Sequence, residues 1–455
     1  MGPAVEVTWS SAMSPTRNTV PPTMTHPLAG RFWLAVLLTG SSTGFGAVVL
    51  TRLLEEVQSL VWGGSGTGLL EAVQQVPVWH LLLVLLLAGI ATGAGQVILK
   101  RLSSANGIDT ATAIWFHAGR LPAVRTLGSA VLSVIIVAMG ASLGREGAPK
   151  QAGAVFANFF CDRLGLSDEQ RRLLVACGAG AGMSAAYGVP IGGALFSLEV
   201  MRGVLALRYV LPSLVASAVA TGIAWLWLPN APLYRIPEYP NAAGAVLWAA
   251  LMGPVAGLVS VGYVRLISWA DRNKPATRSR IVAPILGLGC VGLAAVWFPQ
   301  ILGNGRDVSQ ATFLGWHQAF WLAAVLLVLK PAATAVCVRT GAPGGLFTPS
   351  LTVGALLGTV LGAITQQFWP GAPLGLCALV GAGAVLAATT QGPISTIVLL
   401  IEFTGRDRAI ILPLLAGVAT ATLVARTIEF RSIYEARLTD EQLKARQIVR
   451  DGELK

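Results

Sequence analysis

The chain has 455 residues, of which 54% are hydrophobic and 12% charged, and its formal net charge is +11. Soluble domains carry about 25% charged residues, so this chain has too little charge to clothe a water-facing surface, and a membrane class follows before any motif is read. The positive charge does not indicate a nucleic-acid partner, because the basic residues are scattered in short loops between apolar runs, as membrane topology signals are.

Residues 1–30 form a polar, Pro/Thr-rich tail. It has no apolar core of the kind a cleavable signal needs, and it is expected either to be disordered or to lie upstream of a true start at Met24. Apolar runs free of Asp, Glu, Lys and Arg follow at Leu81–Leu99, Thr126–Gly144, Tyr209–Tyr234, Tyr239–Val264 and Val308–Leu329, and the longest is Thr340–Ile401. A helix needs about 20 apolar residues to cross the hydrocarbon core. The last run is too long for one crossing and is expected to hold several segments joined by uncharged turns. Gly341, Pro343, Gly344, Gly345, Pro349, Gly392 and Pro393 interrupt it. Broken helices at membrane depth survive only where they line a cavity or pack on protein.

From Arg426 onward the chain is charged, with seven basic and six acidic residues, and residues 429–455 are expected to be a short, solvated, cytoplasmic helix. The five cysteines (Cys161, Cys177, Cys290, Cys337, Cys377) show no metal spacing and are expected to be core-packing thiols. His26, His80, His117 and His317 stand far apart, and no ligand-like pair of His, Asp, Glu or Cys occurs within the apolar runs. Neither an enzyme nor a metal or cofactor site is expected.

One pattern occurs twice. The first half reads Gly144-Arg145-Glu146-Gly147-Ala148-Pro149, then Gly188-Val189-Pro190-Ile191, then Glu199. The second reads Gly344-Gly345-Leu346-Phe347-Thr348-Pro349, then Gly392-Pro393-Ile394, then Glu402. Nine residues separate Pro190 from Glu199 and Pro393 from Glu402, and the spacings from Pro149 to Pro190 and from Pro349 to Pro393 are 41 and 44. Such paired, interrupted segments mark the binding site in transporters built from inverted repeats. Gly and Pro start helices in mid-membrane and leave unpaired backbone N–H groups aimed at one spot. Several such ends make an anion site without any full positive charge, and a buried lysine is not expected there because it would hold the anion too tightly or be too costly. Glu199 and Glu402, each ending an apolar helix, are expected to hydrogen-bond neighbouring helix ends.

With these segments in view, the chain resembles the CLC family of chloride channels and chloride/proton exchangers over roughly Arg31 to Leu438. Gly144-Arg145-Glu146-Gly147 is similar to the family's gate motif and Gly341–Pro349 to its second anion-binding segment. Asn106-Gly107-Ile108 stands where the family has a Ser-Gly-Ile-Pro turn, and Ser432-Ile433-Tyr434 resembles the segment presenting a central tyrosine. The resemblance implies an all-α polytopic fold with two inverted-topology repeats, a first half over 31–230 and a second over 231–428. It implies a homodimer in the cell (inner) membrane, each subunit with its own path for a halide, such as chloride or fluoride, and for protons where the two are coupled. It makes Glu146 the gating residue. The anion would be held by Asn106, Gly107, Ile108, Gly144, Arg145, Gly147, Gly345, Leu346, Phe347, Thr348 and Tyr434, with the amides of Leu346 and Phe347 and the Tyr434 hydroxyl at its centre.

The chain departs from the family at three places. The exchangers carry an inner proton-relay glutamate directly after the position of Glu199, where this chain has Val200. The family's central serine is Asn106 here, whose amide donates two hydrogen bonds where a hydroxyl donates one. Both changes resemble the family's fluoride/proton antiporters, which is the alternative to a passive chloride channel. Asp109 takes the place of the turn's proline, and Ala148-Pro149 replaces the usual Gly-Pro junction.

Overall fold

The computed structural model describes residues 29–64, 68–103, 109–239, 243–275, 279–368, 371–405 and 408–435, with 438, 441 and 444 beyond them. The expectations for the tail before residue 29 and for most of the chain after 435 fall outside these residues. The described residues are helical and form no strand. The first half runs through α1 (Ala29–Trp62), α2 (Leu69–Gln75), α3 (Val78–Leu102), α4 (Thr110–Phe116), α5 (Ala123–Ala138), α6 (Gly147–Leu164), α7 (Asp168–Tyr187), α8 (Pro190–Phe196) with a π-helical extension over Ser197–Arg202, and α9 (Leu207–Ala224). The second half runs through α10 (Ala243–Arg272), α11 (Val282–Ala295), α12 (Arg306–Phe313), α13 (Phe320–Arg339), α14 (Phe347–Thr365), α15 (Leu374–Thr390), α16 (Pro393–Thr404) and α17 (Arg408–Ile428). Among them α1, α3, α9, α10, α13, α14 and α17 are long and apolar enough to cross a membrane.

The long uncharged run resolves into α14, α15 and the start of α16. α1 holds a further uncharged run, Phe32–Thr51, which Arg52 and Glu55 end. The two pair at 3.1 Å with both side chains exposed, so the charge sits at a wet end of a long helix.

The repeat is visible in the packing. α6 lies on α7 as α14 lies on α15, and α1 lies along α9 as α10 lies along α17; α7 meets α9 and α1 as α15 meets α17 and α10. The close approach of α6 to α7 is made at Gly153 and Gly178, and that of α14 to α15 at Gly354 and Gly381. A Cβ at either member of each pair would run into the other's carbonyl. Membrane helices lack a hydrophobic force to drive them together, and small residues let their backbones gain dispersion contact instead.

The ends are set locally. Ser167 and Gln170 form a reciprocal capping box at the start of α7, and Gly188, left-handed at φ 70°, stops it. Pro190 and Pro393 occupy the first turns of α8 and α16, where a missing N–H does no harm. Lys330, fully buried on α13, donates to the carbonyls of Ile301 at 2.8 Å and Gly303 at 2.7 Å, where a 3-10 turn over Pro299–Ile301 ends. Carbonyls left over at such a turn carry partial negative charge, and the ammonium meets it. Cys161, Cys177, Cys337 and Cys377 are buried, while Cys290 is exposed on α11 rather than packed inside.

One expectation fails at the C-terminal segment. Residues 429–435 are not a solvated helix: Ile433 and Tyr434 are buried, and the Ile433 N–H donates to Thr389 O on α15 at 2.7 Å. The charges of Arg431 and Glu435 predict a wet helix. The apolar Ile433 and the ring of Tyr434 instead pull the chain back against the core.

Candidate anion site

The segments before α6 and α14 meet at Gly144 and Gly345, whose N–H and C=O groups pair in both directions at 2.7 Å. This single antiparallel bridge joins the halves at the two places where the sequence breaks its helices. Glu146 stands just before α6 and is 1% exposed. Its side chain crosses to the other half. Oε1 accepts from the Phe347 N–H at the head of α14 at 2.7 Å, and Oε2 accepts from Thr348 Oγ1 at 2.9 Å and Tyr187 Oη at 3.2 Å. An amide at a helix start together with two hydroxyls is what a buried anion requires in place of water.

Glycine makes this seat possible. A Cβ on Gly144 or on Gly345 would overlap the Glu146 carboxylate oxygens. Neither glycine has a positive φ, so both are needed for the space they leave and not for their backbone freedom.

Rings surround the seat. Phe347 meets Phe196 and Phe403 edge to face at 6.0 and 6.3 Å, Tyr187 meets Phe403 at 5.5 Å, and Phe196 meets Tyr434 at 6.1 Å. Each such pair contributes about 0.5–1.5 kcal/mol beyond its buried area. The partners come from α7, α8, α14, α16 and the C-terminal segment, so the rings tie both halves together around the carboxylate. Arg145 lies over the Tyr187 ring with its guanidinium 5.1 Å from the centroid, so the electron-rich ring face meets a cation while the hydroxyl points to Glu146.

Of the residues singled out in the sequence, Gly144, Arg145, Glu146, Gly147, Gly345, Phe347 and Thr348 come together here. Leu346 is the buried residue directly before α14. The Phe347 amide is engaged by the Glu146 carboxylate. Tyr434 meets Phe196 edge to face, and its hydroxyl is buried with no hydrogen bond to a described residue. Asn106, Gly107 and Ile108 lie outside the described residues. Asp109, the next residue, caps α4 by accepting from the Ala111 N–H at 3.0 Å.

Two residues were missed. Tyr187 ends α7 and binds Glu146 and Thr348; in sequence it is a tyrosine before a glycine, which reads as a helix end. Lys150, one turn into α6, is 5% exposed and places Nζ 4.3 Å from the centroid of the Tyr434 ring. A buried lysine is not expected at the site, and Lys150 lies buried against the Tyr434 ring. A lysine stem of four methylenes buries well along apolar rings and delivers its charge to an aromatic face.

Glu199 and Glu402 occupy equivalent places. Glu199 accepts from the N–H groups of Ile394 at 3.1 Å and Ser395 at 2.6 Å, in the first turn of α16. Glu402 accepts from Ile191 at 3.0 Å and Gly192 at 2.6 Å, in the first turn of α8. Each half caps a helix of the other. Beside Glu199 opens a cavity of about 430 Å³, lined among others by Val200, Gln391, Arg426, Ser432 and Glu435. It flanks the segment that carries Tyr434.

Residues 94–426 match the family model described as voltage gated chloride channel. A protein of Ralstonia nicotianae named ClcB-like, among chloride channel proteins, is 34% identical over 419 residues, covering 88% of this chain and 96% of its own. The H(+)/Cl(-) exchange transporter ClcA of Vibrio parahaemolyticus is 32% identical over 313 residues, 66% of each chain. Among solved structures, a slow cyanobacterial Cl-/H+ antiporter aligns with a TM-score of 0.79 at 22% identity, over 92% of this chain and 99% of its own. A CLC-type fluoride/proton antiporter aligns with a TM-score of 0.74 at 20% identity, over 91% and 99%.

Proposed function

The chain belongs to the voltage-gated chloride channel (CLC) family, a family of anion-transporting multi-pass membrane proteins, and on that premise we propose that it moves chloride along a path gated by the carboxylate of Glu146. The observation that carries this reading is the seat between Gly144 and Gly345. A carboxylate there accepts one amide and two hydroxyl hydrogen bonds at a place too narrow for a Cβ. A small anion needs the same donors. The carboxylate and the anion therefore compete for one position, and protonating Glu146 removes the charge that holds it there.

The path runs from that seat past Phe347 and Tyr434 to the cavity beside Val200. The protein works as a homodimer in the inner membrane, as family membership supports. The end carrying Arg265, Arg272, Arg426 and Arg431 faces the cytoplasm, following the excess of basic residues there. Val200 stands where the family's exchangers carry an inner glutamate, which favours anion movement without that proton carrier, although Glu199 and Glu435 also line the cavity.

The test is reconstitution in liposomes with anion efflux and proton movement recorded together, for chloride and for fluoride. Chloride efflux that quickens as pH falls, and that becomes fast and indifferent to pH in Glu146→Gln, is the expected result. An unchanged pH profile in Glu146→Gln would sink the gating role. Fluoride moving faster than chloride with protons driven uphill would replace this reading with a fluoride/proton antiporter.

A further inference from the structure

α10 is 30 residues long. At about 1.5 Å per residue it reaches about 45 Å and outruns a hydrocarbon core of about 30 Å. Its charge-free part ends at Val264, and Arg265 and Arg272 follow in its last two turns. Leu251 and Leu258, both 54% exposed, precede Arg265 at intervals of seven residues, and Arg272 comes seven residues after it. That spacing keeps all four on one stripe of the helix. The stripe therefore runs from the acyl-chain zone straight to two guanidinium groups at the level of lipid headgroups. Trp269 shares this face, one turn after Arg265, and is 51% exposed, as an interface-belt ring is. Arg339 of α13 places its guanidinium 5.0 Å from the centroid of that ring.

At this end a cavity of about 410 Å³ opens between α10 and the C-terminal segment, lined among others by Arg265, Trp269, Arg272, Glu429 and Arg431. Glu429 is divided between two of these cations, accepting from Arg265 Nε at 3.4 Å and lying 3.6 Å from Arg431 Nε. Contact through Nε leaves the two terminal nitrogens of Arg265, whose side chain is 60% exposed, without a hydrogen bond to a described residue. Asp271, one residue before Arg272, is held by Lys274 at 2.5 Å. We propose that this cavity is a binding site for an anionic phospholipid, whose headgroup phosphate is taken by the terminal nitrogens of Arg265 while its acyl chains lie along Leu258 and Leu251. The planar, always-charged fork of a guanidinium matches two phosphate oxygens at once. A soluble phosphate would meet the same fork but gain nothing from the apolar stripe leading to it, so the stripe selects lipid. The cavity joins α10 to the segment that carries Tyr434, three residues beyond Arg431, and an occupied site steadies that segment. Such a site needs the protein to sit in a membrane, but no particular choice of transported anion.

The experiment is native mass spectrometry of the purified full-length protein in detergent with phosphatidylglycerol added. Phosphatidylcholine serves as the neutral lipid, and inorganic phosphate, at constant ionic strength, as the soluble source of the same group. Each basic group beside an anionic headgroup has an effect of about fivefold. The parent is therefore expected to retain phosphatidylglycerol over phosphatidylcholine by at least about tenfold, and Arg265→Gln, which keeps a donor without the charge, to retain about fivefold less of it. Arg265→Lys, which keeps the charge without the fork, is expected to fall between the two. Phosphatidylglycerol is also expected to raise the apparent melting temperature of the parent more than that of Arg265→Gln. Equal retention of the two lipids by the parent would overturn the proposal, and that comparison stands whether or not a variant folds. So would a monodisperse Arg265→Gln that holds phosphatidylglycerol as the parent does. Displacement of bound phosphatidylglycerol by inorganic phosphate would show that a soluble anion is the occupant, and would overturn it as well.

Discussion

Gly144 and Gly345 hold one another by two backbone hydrogen bonds of 2.7 Å, the N–H of each meeting the C=O of the other. The bridge fixes the separation of the two broken segments, and the missing side chains leave room for a carboxylate between them. Gly345→Ala keeps the backbone pairing, since its φ is not positive, but fills that room with a methyl group. Anion efflux from liposomes is expected to fall at least tenfold with the elution profile unchanged. Efflux at the parent rate would show that the seat is not on the path.

Tyr187 and Thr348 both donate to Oε2 of Glu146. Hydrogen bonds to a charged group contribute about 1.5–3 kcal/mol, so each donor holds the carboxylate in its seat against an anion that competes for it. Chloride efflux at fixed pH is therefore expected to rise severalfold in Tyr187→Phe and in Thr348→Val. Efflux that falls or stays at the parent rate in both would show that these hydroxyls do not stabilise the seated form.

Glu199→Ala and Glu402→Ala each strip two amide N–H groups of their acceptor. Loss of such a cap costs about 1–2 kcal/mol. Because the caps are equivalent, the two variants are expected to lower the apparent melting temperature in detergent by similar amounts. A drop confined to one of them would mean that the equivalence is geometric and not energetic.

Lys330→Met leaves the carbonyls of Ile301 and Gly303 without their buried donor. Each unsatisfied group costs about 1–3 kcal/mol. The yield of monodisperse protein is expected to drop severalfold, and a parent-like yield and melting temperature would rule out the pinning role of Lys330.

Legibility in the sequence followed the physics of each feature. The repeat could be read because helix breaks leave Gly and Pro in the chain, and the spacing of Pro190 to Glu199 and Pro393 to Glu402 is a direct trace of the reciprocal caps. Glu146 stood out because a carboxylate in an apolar stretch is costly unless used. Tyr434 was reached through family resemblance alone; its neighbours Arg431 and Glu435 pointed to water, and only folding shows Ile433 tied to Thr389. Tyr187 left no trace, since its role depends on where α7 ends relative to a carboxylate 41 residues earlier. Lys150 was not singled out, because a buried lysine is not expected where burying a cation is costly, a rule stated for an isolated charge and not for one laid on an aromatic face.

The reciprocal caps also bear on how the chain is made. The first turn of α8 receives its acceptor from a residue 210 positions later in the chain. While the ribosome is still adding the second half, the emerging first half therefore carries a helix start in the bilayer with bare N–H groups. It matures only when Glu402 arrives, and at that moment Glu199 completes α16 in return. The halves therefore finish one another, and a chain ending between them would lack the acceptor for the first turn of α8.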